Sequence, residues 1–449
     1  MILQTVCQIE VPEDFGTFQE AERKIKEAVF QAGINLTGQL MAKYEADILE
    51  KRKRFWKKDC REKKFQTIVG EVKIKRWRVF DGIKKCCRYP LDEWMGVGND
   101  RATPALKKVL VTAAVQRSFR QATKEVEQWT GVKRSVMTNW KLIQSIAKEE
   151  IKKEPGVFDW YLKPIPILDS KIKEDPCPIL AMDPDATYIK NQDKTQPDHE
   201  IKMTVMYTAK KMEGKNKKRL KLVNKQVVIS RREENVREFF NRTTTRAMSH
   251  YGAHRGTKAI IHGDGDPWIK GLKENYWDGA LLRLDPWHVG KKIRLATGLL
   301  EVPKEWWKLI YGEPDVLVTQ LSIWKVQRTA PKSKEREKMD ELIGYIKNNR
   351  EGLLPSKVPL EEKKKYFGMY KRGSGTIESN IGHGIADRFK MRRMSWSKNG
   401  LEHLSFLREK FLNRSVFTQG EGGENKTLFY VPEPIGRDNW RRKADEVGL

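Results

Sequence analysis

The sequence predicts an α/β core, interrupted by a helical insertion and preceded by a mainly helical, basic region. Three observations predict it. Between Ile179 and Leu284, short apolar or alternating runs are separated by two amphipathic segments, the pattern of a layered α/β fold. Residues 290–365 keep helical spacing and carry Trp306, Trp307 and Trp324 without a strand signal. Upstream of residue 153, helical periodicity dominates and Lys and Arg recur throughout.

Taken in order, residues 17–58 read as one long charged helix, with Ala21, Ile25, Ala28 and Val29 at helical spacing and a basic end at Lys51-Arg52-Lys53-Arg54. Thr67 to Phe80 alternates like a strand (Ile68, Gly70, Val72, Ile74), and Asp81-Gly82 supplies a turn. This predicts a hairpin with Lys73, Lys75, Arg76 and Arg78 on its exposed side. Ser118 to Trp129 and Ser135 to Ala147 read as two helices around Thr130-Gly131-Val132, the second with Val136, Trp140, Ile143 and Ile146 on one face. Helix, short Gly-containing turn and helix is the shape of a helix-turn-helix, which would set Lys133, Arg134, Thr138 and Asn139 against DNA; an ordinary helical hairpin gives the same pattern. Residues 154–178 are Pro-rich and read as a linker.

The core then opens with the apolar run Ile179–Asp185, the alternating Ile201–Tyr207 and a third strand at Leu220–Ile229. A helix at Asn235–His250, a buried strand at Thr257–Gly263, a helix at Trp268–Tyr276 and a strand at Ala280–Leu284 complete it. Asp185 and Asp264 fall at C-terminal strand ends, where open α/β sheets bind ligands. Ile377 to Leu412 resumes the core with a helix, and the Gly-containing, basic tail follows. The predicted organisation is therefore 1–60 helical and basic, 61–100 hairpin, 101–153 helix-turn-helix-like, 154–178 linker, 179–290 first part of the core, 291–365 insertion, 366–413 last part of the core and 414–449 tail.

Composition narrows the partner. The 449 residues include 14 Trp, 16 Phe and 12 Tyr, enough for packed cores despite 33 % charged residues. The net charge of +28, with further clusters at Lys215–Arg219, Arg388–Arg393 and Arg441–Lys443, favours a long acidic polymer such as DNA over a small anion. The five cysteines have no C-x-x-C spacing, which argues against a disulfide framework or zinc ribbon and for a reducing cytoplasm. No apolar run approaches the ~18 residues of a membrane span, and no secretory leader is evident, so neither membrane nor export is expected.

In this basic chain three acidic residues stand in distinctive settings: Asp185 in Met182–Ile189, Asp264 in Ile261-His262-Gly263-Asp264-Gly265-Asp266-Pro267-Trp268, and Glu378 in Gly375-Thr376-Ile377-Glu378-Ser379-Asn380. Carboxylates gathered in a basic protein suggest divalent metals working on phosphodiesters. Individually, Asp264 beside Gly265 also fits a turn and Glu378 a helix N-terminal charge.

The motifs, in order, resemble the ISLre-type insertion-sequence family of DDE transposases, with Mutator-type transposases as more distant relatives. Asp185-Ala186-Thr187-Tyr188-Ile189 resembles the first-strand motif, and Glu200-Ile201-Lys202 with Tyr207 the paired second strand. Gly263–Ile269 resembles G-D-G-A-x-W-I, and Leu284-Asp285-Pro286-Trp287-His288 resembles L-D-x-F-H. Glu378 with Arg388-Phe389-Lys390, Met394-Ser395-Trp396-Ser397 and Gly400 resembles the last motif. Asp183 stands where the family tends to have Glu, and Asp266 where it prefers Ala, which leaves Asp264 and Asp266 both open as the second acid.

The resemblance implies an RNase H-like core with a mixed five-stranded sheet. It implies Asp185, Asp264 and Glu378 as catalytic ligands of two Mg²⁺ ions, with Mn²⁺ able to substitute, Asp185 bridging both. Asp183, Asp266, Asp285, His288 and His383 are candidate supporting groups; Asp285 and His288 parallel a D-x-x-H signature and are read as structural or DNA-contacting. Arg388, Lys390, Arg392 and Arg393 are candidates for the phosphates of the scissile strand. The implied partners are double-stranded DNA, as terminal inverted repeats and target, and further copies of the chain. The competing readings are a catalytically silent DNA-binding derivative, against which the complete acidic set argues, and a stand-alone nuclease, which needs neither the N-terminal region nor the insertion.

Overall fold

The structure, a computed structural model, describes residues 3–6, 17–52, 54–98, 100–154, 156–162, 177–213, 219–231, 233–254, 256–370 and 377–414. Most of the Pro-rich linker, the Lys215–Lys218 cluster, Cys7, the Gly375-Thr376 pair and the tail from residue 415 lie outside the described residues. The chain divides into two compact units, residues 1–152 and 153–449.

In the first unit, helix α1 (Phe18–Lys51) starts at Thr17, whose backbone N–H donates to Glu20 at 3.1 Å. It stops at Lys51, not at residue 58 as the charge pattern predicts. The basic run instead enters strand β1 (Phe55–Thr67), which pairs antiparallel with β2 (Gly70–Asp81) from Phe55↔Asp81 to Thr67↔Gly70. The hairpin turn is thus Ile68-Val69, and Asp81-Gly82 turns β2 into β3 (Cys86–Arg88). The signal was lost because β1 is solvated on one face and carries mostly Lys, Arg, Asp and Glu.

The strand period also corrects the basic face. Lys73 and Lys75 point outward, whereas Arg76 is buried at 8 % exposure, 2.9 Å from Asp92 and stacked 3.5 Å over the Tyr89 ring. Met41, Phe65, Val72, Leu91 and Val97 form the local core, joined by α2 (Pro90–Trp94). Buried Glu45 of α1 is satisfied by the Trp77 N–H at 2.8 Å. Helices α3 (Pro104–Gln116), α4 (Phe119–Thr130) and α5 (Val136–Lys152) complete the unit; Ser118 caps α4, and Gly131 ends it in the left-handed region at φ 68°.

The second unit is built on a mixed five-stranded sheet. Strand β4 (Ile179–Ile189) is central and pairs antiparallel with β5 (His199–Tyr207) and parallel with β9 (Lys258–Gly263). A separate ribbon of β6 (Ala209–Glu213) and β7 (Arg219–Val223) follows β5. The predicted strand Leu220–Ile229 breaks at Asn224, where φ is 53°, so that only β8 (Gln226–Ile229) joins the main sheet. With β10 (Leu281–Leu284) the order is β10-β9-β4-β5-β8.

One face is covered by α6 (Val236–Tyr251) and α7 (Pro267–Tyr276), whose Phe239, Phe240, Ile269 and Leu272 share a core with Leu180, Met182, Val228 and Ile261. Each fully buried side chain of this size contributes about 1.5–3 kcal/mol. Helices α8 (Pro286–Thr297), α9 (Lys304–Gly312), α10 (Pro314–Arg328), α11 (Lys334–Asn348) and α12 (Arg350–Leu353) build a second core around Val289, Ile310, Leu317, Leu321, Leu342 and Ile346. Trp306 is buried in it, and Trp307 and Trp324 pack on it. After α13 (Leu360–Lys365), α14 (Ile377–Ile381) reaches the uncovered face of the sheet. It widens to a π-type turn at Gly382–Ala386, where Gly384 faces Met203 of β5, then passes α15 (Asp387–Phe389). The single predicted helix 377–412 is therefore broken; extended Met394–Ser397 precedes α16 (Lys398–Leu412).

Candidate active site

Strand register gathers the acids. Ala181 pairs with Ile260 and Met182 with Ile261 between β4 and β9, and Ile260 pairs with Leu281 and Gly263 with Leu284 between β9 and β10. Continued past the last paired residues, these two offsets put Asp185, Asp264 and Asp285 in one row across three adjacent strands. Side chains alternate along a strand, so the row faces the side that receives α14. Asp185 is not at a strand terminus: β4 runs on to Ile189 against β5, while its parallel ladder with β9 ends at Met182.

Helix starts fix the rest. Asp285 caps α8, its Oδ1 accepting the Trp287 N–H at 2.9 Å, and His288 stands one turn in. His288 Nε2 lies 3.5 Å from Oε1 of Glu378 on α14. Donor atoms of Asp285, His288 and Glu378 all lie within 4.8 Å of one another. Asp264 turns at Gly265, where φ is +90° and any Cβ would meet the Asn349 amide at 2.7 Å; glycine alone fits there. Its Oδ1 accepts the Asp266 N–H at 3.1 Å, and its carbonyl accepts the Tyr345 hydroxyl from α11.

The electrostatics is that of a crowded acidic site. Burial, then the Asp264 and Glu378 carboxylates, push Asp185 up to about 6, against the Ala186 N–H that its Oδ1 accepts at 2.7 Å. Burial also raises Asp285 and Asp266, the latter helped by Asp264. The hydrogen bond to His288 lowers Glu378 and raises His288, with Asp264 and Asp285 adding to the latter. Of the two candidates for the second acid, Asp264 is the one in register with Asp185, and its charge helps to raise Asp185.

The other candidates are placed as follows. Asp183 is fully buried beneath the row, accepting from His262 Nδ1 at 2.8 Å and from the Tyr207 hydroxyl at 3.3 Å; His262 Nε2 meets the Met369 carbonyl at 3.1 Å. It supports the strands rather than reaching a ligand. His383 is a correction: it is exposed and pairs with Asp387 one turn on, at 2.9 Å. Arg388 is another. Its side chain is buried at 1 % exposure, 4.9 Å over the Trp396 ring, and burial lowers it to about 9, so it does not present a phosphate-binding group. Lys390 is exposed and bonded to Thr187, Arg393 is exposed, and the side chain of Arg392 lies outside the described residues.

In the first unit, Arg134 and Asn139 are also corrected. Asn139 is buried, accepting from Arg134 Nε at 2.6 Å and donating to Thr123 at 2.9 Å, while Arg134 also bonds Gln66. The buried face of α5 is Asn139, Ile143 and Ala147; Val136 and Trp140 lie on the exposed side. Lys133 is exposed, and exposed Thr138 shares a 2.7 Å hydroxyl contact with Ser135.

Sequence reasoning missed His262 and Tyr345. His262 had a signal: it precedes Asp264 by two residues as Asp183 precedes Asp185, so both belong to the same face of neighbouring strands.

The profile of an uncharacterised protein family, UPF0236, matches residues 13–426. The chain belongs to this family. A UPF0236 protein of Caldanaerobacter subterraneus subsp. tengcongensis, whose name joins four locus labels, is 25 % identical over 448 residues, covering 95 % of this chain and 87 % of that protein. A UPF0236 protein from the vanSb 3′ region of Streptococcus gallolyticus is 25 % identical over 368 residues, covering 78 % and 73 %. Among solved structures, the Drosophila P element transposase strand transfer complex aligns with a TM-score of 0.31 and 8 % identity, over 69 % of this chain and 92 % of that one. Among the described residues no helix is long and apolar enough to cross a membrane.

Proposed function

We propose that this UPF0236 protein is a DDE transposase with an RNase H-like core, which binds the ends of its own insertion sequence, cuts there and joins the freed ends to target DNA. The observation that carries this reading is the row Asp185, Asp264 and Asp285 closed by His288 and Glu378, in a chain with net charge +28. The strand order, with β5 running opposite to the other four, is compatible with an RNase H-like core. A relative whose name spans several loci of one genome fits a gene that copies itself.

The carboxylates of Asp285 and Glu378 and the His288 imidazole, with donor atoms within 4.8 Å of one another, fit a hard divalent cation, and Asp185 and Asp264 bring further carboxylates to the same row. Asp185, Asp264 and Glu378 would hold two Mg²⁺ or Mn²⁺ ions, with Asp285 and His288 beside them. Bound there, such ions would supply activation of the attacking oxygen and stabilisation of the leaving one during in-line displacement. The chain's own part is orientation. Tyr345 and Gly265 fix the Asp264 turn, the Asp183–His262 pair ties β4 to β9 under the row, and His288 holds Glu378 toward it. In the first step water attacks the phosphorus at the element end, the 3′-oxygen leaves and a 3′-hydroxyl is freed. In the second, that hydroxyl attacks a target phosphate and a target 3′-oxygen leaves.

The test is incubation of the full-length protein with duplexes carrying the DNA that flanks its gene, with Mg²⁺ or Mn²⁺. End nicking and strand transfer that vanish in Asp185→Asn, Asp264→Asn and Glu378→Gln, with DNA binding retained, support the reading. Wild-type binding without nicking would replace it with a silent DNA-binding derivative.

A further inference from the structure

Burial of Arg134 and Asn139 leaves the second helix of the helix-turn-helix with a different outward surface. On α5, Met137, Lys141, Gln144 and Lys148 recur at i, i+4, i+7 and i+11, one face of a helix. Met137 is 59 % exposed, Lys141 and Lys148 are exposed and Gln144 is half-buried. The opposite stripe, Asn139, Ile143 and Ala147, is 2 %, 1 % and 0 % exposed. Ser135 fixes the helix start by accepting the Thr138 N–H at 3.0 Å. We propose that this outward stripe of α5 is the surface that meets double-stranded DNA, with Met137 and Trp140 against base edges and Lys141 and Lys148 against phosphates. The proposal rests on the transposase reading and names its DNA-recognition surface.

Charge and its placement argue for DNA as the occupant. The stripe carries two lysines and no carboxylate, and Glu149 and Glu150, the acids of α5, fall outside it. Exposed Lys133 extends the positive surface into the turn before the helix. The apolar part is confined to the first turns, where Val136 (38 %), Met137 and Trp140 (36 %) are exposed; beyond them the stripe turns basic. A face made for a second copy of the chain would stay apolar along its length. Apolar side chains beside lysines suit a groove in which thymine methyls and phosphates alternate. Arg134 and Asn139 then act from behind, locking α5 to α4 and β1.

The experiment measures binding of the full-length protein to a fluorescent duplex from the gene's flanking DNA and to a scrambled duplex, across a salt series. Lys141→Ala with Lys148→Ala should weaken both complexes and lower the salt slope by about one per lysine removed. Met137→Ala should cut the preference for the flanking duplex about tenfold while leaving the scrambled complex nearly unchanged. All three positions are exposed, so unchanged thermal melting is expected and is measured alongside. Wild-type affinity and slope in these variants would overturn the assignment. So would a change of oligomeric state by light scattering in Met137→Ala with DNA binding intact, which would make the face a contact between copies. Parallel nicking assays separate the two levels: variants that bind and nick like wild type refute the surface alone, whereas a wild type that neither binds nor nicks refutes the transposase reading.

Discussion

Asp185→Asn separates what the acidic row costs the fold from what it contributes to cation binding. Burial and the neighbouring carboxylates hold Asp185 at about 6 instead of 3.8. At ~1.36 kcal/mol per pKa unit, ionised Asp185 destabilises the cation-free protein by on the order of 3 kcal/mol. The sign follows from linkage. A raised carboxyl favours the folded state when protonated, so its contribution is complete below the unfolded value near 3.8 and is lost as the pH rises through about 6. Asparagine does not ionise, and its Oδ1 can still accept the Ala186 N–H that Asp185 accepts at 2.7 Å.

Without divalent cations at about pH 8, Asp185→Asn should therefore be the more stable protein, by up to about 3 kcal/mol, or roughly 5 °C in Tm for a unit of this size. Near pH 4 the two should melt together. Saturating Mn²⁺ should reverse the order, because only the wild type offers the carboxylate. Thermal unfolding by circular dichroism with EDTA or Mn²⁺ reads all of this. A variant that is less stable than wild type in EDTA at high pH, or that gains as much from Mn²⁺, would refute the electrostatic account of the site.

Four further outcomes follow. His288→Ala should weaken Mn²⁺ binding, and Mn²⁺ affinity should fall as the pH drops and His288, raised by Glu378, takes up its proton; isothermal titration across pH checks both. Gly265→Ala forces a side chain into φ +90° against Asn349 and should cost about 1–3 kcal/mol in a denaturant melt while lowering nicking. Glu409→Leu should be more severe, about 3–5 kcal/mol, since it leaves Arg231 and Arg242 buried without the carboxylate they meet at 3.2 and 3.4 Å. Asn139→Ala should cost about 1–3 kcal/mol of stability in the first unit, with the salt slope of DNA binding unchanged.

Much of the second unit was legible because its core strands are short apolar or alternating runs and its helices carry their caps in sequence. Asn235 before α6 and Asp285-Pro286 before α8 are examples. What sequence alone leaves open is lateral position. Asp185, Asp264 and Asp285 are separated by 79 and 21 residues, and only the parallel register of β4, β9 and β10 turns those separations into one row. The same register explains why Asp183 and His262, each two residues earlier, become a buried pair and not ligands. In the first unit the failure had another cause. A solvated strand such as β1 and a solvated helix end have the same composition, so Lys51–Lys58 carries no period to separate them.

The misassigned cations share a single lesson. Arg76, Arg134 and Arg388 looked like surface charge because arginine usually is, yet each packs its guanidinium against an aromatic ring or a buried amide. The lysines read with them, whose ammonium groups are strongly hydrated, lie outside: Lys73, Lys75, Lys133, Lys141 and Lys148 are all exposed. At these positions, then, lysine marks the surface offered to a polyanion more faithfully than arginine. A scan that replaces exposed lysines one at a time should find phosphate-type losses in salt slope, whereas replacing these three arginines should lower the melting temperature first.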